Sequence, residues 1–167
     1  MKINAARLDP APLPGAALSR YRVRFAHRHP TMLLFLGFDG VLHPADGERT
    51  LFQHRDALEA LLRAHAHVDV VITSSWREVF DTDTLREDYF SRDIQPRIID
   101  VTPLIPGAMR WQEVQAYLEE TRHAGPYLVV DDDASEFPPG WEHLLLCAPE
   151  TGLDAGKLEE LAARIRR

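Results

Sequence analysis

Three short polar stretches in this 167-residue chain follow apolar runs and carry side chains able to do chemistry. Gly37-Phe38-Asp39-Gly40 follows Leu33 to Leu36, Thr73-Ser74-Ser75 follows "VDVVI", and Asp131-Asp132-Asp133 follows "YLVV". Three consecutive carboxylates repel one another and invite a cation. A set of oxygen donors suits Mg2+, which keeps several waters and sits against substrate phosphate. A metal and an arginine can stabilise charge on a transferring phosphoryl group, while a hydroxyl fixes its position. The plain alternative for the three acids is a solvated turn with a helix cap nearby. The apolar strand that aims them at one place favours the cation.

The elements that must position these stretches alternate along the chain. "TMLLFLGF" reads as a buried strand, "QHRDALEALLRAHA" as a helix with Leu58, Leu61 and Leu62 on one face, and "VDVVIT" as a second strand. Asp83 is a candidate cap for a helix carrying Leu85, Tyr89 and Phe90, and "PRIIDVT" is a third strand. Arg110 opens a helix that ends near Gly125, and "YLVVDDD" and "HLLLCA" supply the fourth and fifth strands. The last helix has Asp154 as cap and Leu158, Leu161, Ala162 and Ile165 at helical spacing. Strands alternating with helices predict an α/β fold, a five-stranded parallel sheet with helices on both faces. The strands fall near 32–37, 68–73, 97–101, 127–131 and 143–147. In such sheets ligands bind beyond the carboxyl ends of the strands, where the three polar stretches lie.

Composition narrows the classes. With 45% hydrophobic residues, one globular domain over 32–167 is the expectation, preceded by a basic arm over 1–31. That arm holds six Lys/Arg against one acid, a balance of +5. The remaining residues hold 13 basic against 25 acidic side chains, a balance of −12, and together these make the net −7 of the chain. An acidic body argues against a broad nucleic-acid surface, so contact with RNA or an acidic protein is expected only of the arm. No apolar stretch is long enough to cross a membrane. The single cysteine, Cys147, lies in the apolar run "LLLCAP" and reads as a buried, inert thiol, in keeping with a reducing cytoplasm.

"FLGFDGVLHP", "VVITSSWRE", "IIDVTP", "RWQEVQAYL" and "YLVVDDD", in this order, resemble the haloacid dehalogenase (HAD) superfamily of phosphohydrolases. More narrowly they are similar to a compact bacterial branch, like the HAD-type domains of multidomain RNA-repair proteins. The resemblance spans roughly residues 32–166 and implies a three-layer Rossmann-like fold with the first strand central. Its pattern asks for Asp-x-Asp-Gly after that strand, the first Asp attacking phosphorus and the second acting as general acid and base. Here the second matches Asp39, and Gly40 follows it as an implied phosphate-binding residue, but the nucleophile position holds Gly37. The phosphate-binding hydroxyl is implied at Thr73, with Ser74 as alternative. The charge-balancing cation is implied at Arg110, because Lys2 and Lys157 are misplaced. Asp131 and Asp132 match the metal-binding acids, with Asp39 completing the set. Residues 41–72 and 78–109 leave no room for a large cap domain.

Without a carboxylate at position 37 the covalent route lacks a nucleophile, and Mg2+ loses one anionic ligand. The resemblance therefore implies a weak Mg2+ site that binds phosphate or a phosphorylated small molecule and hydrolyses poorly. The competing reading is an active Mg2+-dependent phosphomonoesterase acting on nucleotides or nucleic-acid ends. Other residues carry less. His43 either approaches a ligand or packs its loop, Arg77 either assists phosphate or pairs with an acid such as Asp81, and Trp111 and Trp141 read as packing residues.

Overall fold

The computed structural model describes residues 32–46 and 51–167. The basic arm, and any RNA or protein contact it makes, lies outside the described residues. Five strands form one sheet: β1 (Met32–Leu36), β2 (Val68–Ile72), β3 (Ile98–Val101), β4 (Tyr127–Asp131) and β5 (Leu144–Leu146). All pairings are parallel and the order is β3-β2-β1-β4-β5, so β1 is central between β2 and β4. Four helices accompany them: α1 (Arg55–Ala64), α2 (Thr82–Tyr89), α3 (Arg110–Thr121) and α4 (Ala155–Ile165).

The register explains why β1 is apolar throughout. Leu34 and Leu36 point to one face with Val70, Ile72, Leu128 and Val130, where Leu58 of α1, Leu85 of α2, and Leu161 and Ile165 of α4 cover them. Leu33 and Phe35 point to the other face with Val71 and Val129, against Val114, Tyr117 and Leu118 of α3. A parallel strand buried on both faces has no polar side to show, which is why its sequence does not alternate. Phe35 meets Tyr117 and Tyr127 edge to face at 5.6 and 6.0 Å, a favourable arrangement of ring quadrupoles. Among the described residues no helix is long and apolar enough to cross a membrane. Cys147 is buried, and burial pushes its thiol up to about 12, so it is inert as a nucleophile.

Two helix boundaries differ from expectation. Asp81, not Asp83, caps α2: its extended backbone lets its carboxylate accept the Thr84 N–H at 2.7 Å. Asp83 lies inside the first turn and pairs with Arg86 at 2.6 Å, and Phe90 follows the helix instead of belonging to it. α3 stops before Gly125 because Arg122 turns left-handed at φ 53°, letting the His123 N–H reach the Leu118 carbonyl. In α4, by contrast, Asp154 caps as expected, accepting the Lys157 N–H at 2.9 Å.

Asp154→Ala should lower unfolding stability by about 1 kcal/mol, and Asp154→Asn by much less, because only alanine leaves the first-turn N–H groups unpaired. Urea denaturation of the two variants checks this.

Candidate functional site

The three strand ends meet as the topology requires. The Gly37 N–H donates to the Val130 carbonyl at 3.0 Å, and the Thr73 N–H donates to the Leu36 carbonyl at 2.9 Å. Gly37 therefore sits between the last residues of β2 and β4, with Thr73 on one side and Asp131 on the other. A Cβ at position 37 would lie 3.3 Å from Asp131 Oδ2, from the Val130 carbonyl oxygen and from a Val41 methyl. Its backbone is outside the left-handed region, so conformation does not require glycine here.

Asp39 is held at both carboxylate oxygens. His43 Nε2 lies 2.9 Å from Oδ1, and Trp76 Nε1 donates to Oδ2 at 3.1 Å. The buried His43 ring accepts the Phe52 N–H on Nδ1 at 3.4 Å, which assigns its proton to Nε2, facing Asp39. Burial alone would raise the Asp39 carboxyl, but these two hydrogen bonds outweigh it and hold Asp39 below its ordinary value. Asp39 is thus a carboxylate fixed in direction. His43 does not pack passively; it orients the acid. Trp76 was not a sequence candidate for this task, and its separation of 37 residues from Asp39 gave no local signal.

Gly40 adopts φ +67° and closes the turn after Asp39. A Cβ there would fall 2.1 Å from Asp132 Oδ2, so glycine is required both by backbone and by the close approach of that carboxylate.

The two hydroxyl candidates separate clearly. Ser74 Oγ accepts the Trp76 N–H at 3.3 Å and so caps the short 3-10 turn Ser75–Glu78. Thr73 is fully buried, and its Oγ1 has no hydrogen-bond partner among the described residues. Thr102 Oγ1, after β3, is in the same condition. A buried hydroxyl without a partner is costly, and a ligand oxygen is one way to satisfy it.

Arg110, the first residue of α3, turns toward the acids. Its Nη1 donates to Asp131 Oδ2 at 2.7 Å, and its own N–H is accepted by Glu136 Oε2 at 2.8 Å. Burial would weaken the guanidinium charge, but Asp131 beside it more than compensates and raises the Arg110 pKa. Asp131 is wholly buried. Burial opposes its charge, while Arg110 and the Asp133 N–H, 3.0 Å from Oδ1, support it. Asp132 is half-buried next to Asp131, and burial together with that neighbouring charge pushes it up to about 6. The third acid has another role: Asp133 accepts the Ser135 N–H and hydroxyl at 3.0 and 2.6 Å, capping a short turn.

Among the described residues no three His, Cys, Asp or Glu side chains assemble into a cation site. Asp39, whose backbone carbonyl is the group expected in that set, has its carboxylate held by His43 and Trp76. Asp131, itself held by Arg110 at Oδ2 and by the Asp133 N–H at Oδ1, and Asp132 are the acidic oxygen donors at the end of β4. They fit Mg2+ in type and fall short in number.

A family model described as the HAD domain in Swiss Army Knife RNA repair proteins matches residues 33–158. The chain belongs to that HAD domain family. Comparison with curated proteins and with solved structures finds no match. The parallel sheet with helices on both faces is the Rossmann-like architecture of a HAD domain, a phosphatase fold.

Among the described residues, Arg77 of this HAD domain makes its ion pair with Glu113 and not with Asp81. Its buried guanidinium forms an ion pair with Glu113 of α3 and donates to the carbonyls of Thr73, Ser74 and Thr102. Burial lowers its pKa, opposed by the Glu113 charge. Glu113 in turn accepts the Ile105 N–H at 3.0 Å. One side chain thus ties together the ends of β2 and β3 and the start of α3. Beside it opens a cleft of about 430 Å3, bordered by Arg110, Glu78, Glu136 and the loop 104–108.

Two outcomes follow. Arg77→Ala leaves Glu113 buried without its partner and should cost about 3–5 kcal/mol in urea denaturation. For Asp132, a folded-state pKa of about 6 against an ordinary 3.8 means that the folded protein binds the extra proton between those values. Its contribution favours folding below the lower value and is lost as pH rises through the upper one. In metal-free buffer, Asp132→Asn should therefore raise the urea midpoint at about pH 7 more than at about pH 4.

Proposed function

We propose that this HAD domain binds a phosphorylated ligand at the carboxyl ends of β1, β2 and β4 and hydrolyses it slowly or not at all. The observation that carries the reading is the fully buried Thr73 Oγ1, without a hydrogen-bond partner among the described residues, one strand away from the Arg110–Asp131 pair, with Gly37 between them. A phosphoryl oxygen would accept from Thr73, and Arg110 would offset part of the phosphate charge. Ser74 is spent on its turn, which leaves Thr73 the hydroxyl for this work.

The chemical step lacks a nucleophile. Formation of an aspartyl-phosphate needs a carboxylate at position 37, and glycine has none. Asp39 is no substitute, because His43 and Trp76 anchor both of its oxygens. Its role in this reading is proton transfer, as a carboxylate with the His43 Nε2 proton against Oδ1. Mg2+ would be held by Asp131, Asp132 and the Asp39 backbone carbonyl, and when bound it would neutralise charge on the phosphoryl oxygens. Without a third carboxylate that binding is weak. Residues 1–31 are proposed as the separate basic arm for RNA or an acidic protein, and the single, inert Cys147 fits a cytoplasmic setting.

Gly37→Asp tests the reading. The backbone conformation at position 37 accepts a side chain, provided that Val41, Asp131 and the Val130 carbonyl give way by a few tenths of an ångström. The variant should turn over a small phosphomonoester in Mg2+ at least ~100-fold faster than the unmodified protein, since deleting a nucleophile ordinarily costs more than that. Gly37→Ala, with the same Cβ and no carboxylate, should gain nothing. Brisk turnover by the unmodified protein that is abolished in Asp131→Asn would overturn the proposal in favour of an active phosphomonoesterase.

A further inference from the structure

Charge is divided along the strands. Asp39, Asp131 and Asp132 lie at the carboxyl ends of β1 and β4, whereas a basic corner forms at the amino end of the sheet. His65 and His67 join α1 to β2, with their rings edge to face and centroids 5.9 Å apart. Arg97, which leads into β3, donates to the Leu62, His65 and Val68 carbonyls beside them. Arg166 closes α4. The charged groups that bear on His65 are His67, Arg166 and Arg97, all basic, and together with burial they hold its imidazole below the ordinary value. Because α1 and α4 both end here, the negative ends of their dipoles favour a cation each, which accounts for part of the placement. One turn back on the same helices, however, Arg63 and Arg164 are matched by Asp93 and Glu160. His65, His67 and Arg166 have no ion pair among the described residues. The corner is also where the basic arm joins the sheet, since the Met32 N–H donates to the His67 carbonyl at 3.0 Å.

We infer that this corner, continued by the arm, holds the phosphodiester backbone of a single-stranded nucleic acid at the end of the domain opposite the proposed phosphate site. This use deepens the proposed role of the arm and is independent of that site, which lies roughly 17 Å away along the five residues of β1. Between residues 20 and 29 the arm supplies Arg20, Arg22, Arg24 and Arg28 together with His27 and His29. The corner adds further phosphate contacts where the arm enters β1. Tyr21 and Phe25 stand among those arginines, and rings interleaved with cations suit a strand whose bases stack while its phosphates pair. An acidic peptide would leave the rings unused. The rest of the body, 25 acids against 13 bases over residues 32–167, repels a polyanion and confines the strand to this end.

Fluorescence anisotropy of the full chain with a labelled oligouridylate of about twelve nucleotides, at about 50 and 200 mM KCl, tests this. Affinity should fall with salt. Arg166→Gln and His67→Glu, both at exposed positions, should each weaken binding about threefold or more. Arg166→Gln should also flatten the dependence of log affinity on log salt by about 0.7, the share of one phosphate contact. Arg24→Gln in the arm should behave in the same way. Arg55→Gln removes one charge at the opposite end of α1 and should change affinity by less than about twofold, which separates local contact from net charge. Loss of affinity in Arg24→Gln with none in Arg166→Gln or His67→Glu would leave the arm acting alone and overturn the inference. Equal losses in Arg55→Gln, or no binding at the lower salt, would overturn it too. Displacement of the labelled strand by polyglutamate as readily as by unlabelled oligouridylate would replace it with an acidic protein partner. None of these outcomes alters the result expected of Gly37→Asp, so the phosphate site stands or falls separately.

Discussion

The Arg110–Asp131 pair, 2.7 Å across the gap between α3 and β4, is the contact on which the site depends. Asp131 ends a strand that is apolar along its length and is itself wholly buried, so its charge has no water to support it. An isolated buried carboxylate is costly enough to rearrange its surroundings. Here the Asp133 N–H and the Arg110 guanidinium offset part of that cost, and burial still holds the Asp131 carboxyl above its ordinary value. Drawing Arg110 inward fixes the first turn of α3, and Glu136 locks the turn by accepting the Arg110 N–H. The start of α3 in turn sets one border of the cleft and places Glu113 against Arg77.

Two arginines near the same strand ends have been given opposite duties. Arg77 pairs with Glu113 and donates to three backbone carbonyls, so it holds the ends of β2 and β3 in place while also lining the cleft. Arg110 gives one nitrogen to Asp131 and keeps an edge on the cleft. In the proposed reading, where position 37 is the nucleophile position, Gly37 spares Arg110 one further carboxylate at this point of the sheet. In that same reading, lower negative charge beside the proposed phosphate position would favour an anionic ligand remaining there, and a missing nucleophile would deprive it of a covalent route to hydrolysis.

The sheet was legible because buried parallel strands read as continuous apolar runs, and Leu33 to Leu36, "VDVVI" and "YLVV" are such runs. Asp154 was legible because a cap and a periodic apolar face lie within one short window. Asp81 was missed in favour of Asp83 because both precede Leu85, and only the extended backbone at Asp81 decides between them. The contacts that shape the site were beyond sequence reasoning for a different reason. Trp76 reaches Asp39 and Arg77 reaches Glu113 across 37 and 36 residues, so no spacing rule applies. Thr73 was preferred to Ser74 only through the family resemblance; the 3-10 turn after β2 separates them physically by occupying Ser74 and leaving Thr73 without a partner among the described residues. The acids after β4 divided in the same way, Asp133 going to a turn cap while Asp131 and Asp132 stayed with the site.

A crystal structure of the full chain grown with Mg2+ and inorganic phosphate tests the central claim most directly. The account predicts one phosphate at the carboxyl end of β1, beside Gly37, with an oxygen accepting from Thr73 Oγ1 and another from Arg110. It would be contradicted by strand ends that stay free of phosphate at saturating concentration, or by a phosphate bound there with Thr73 and Arg110 making no contact to it.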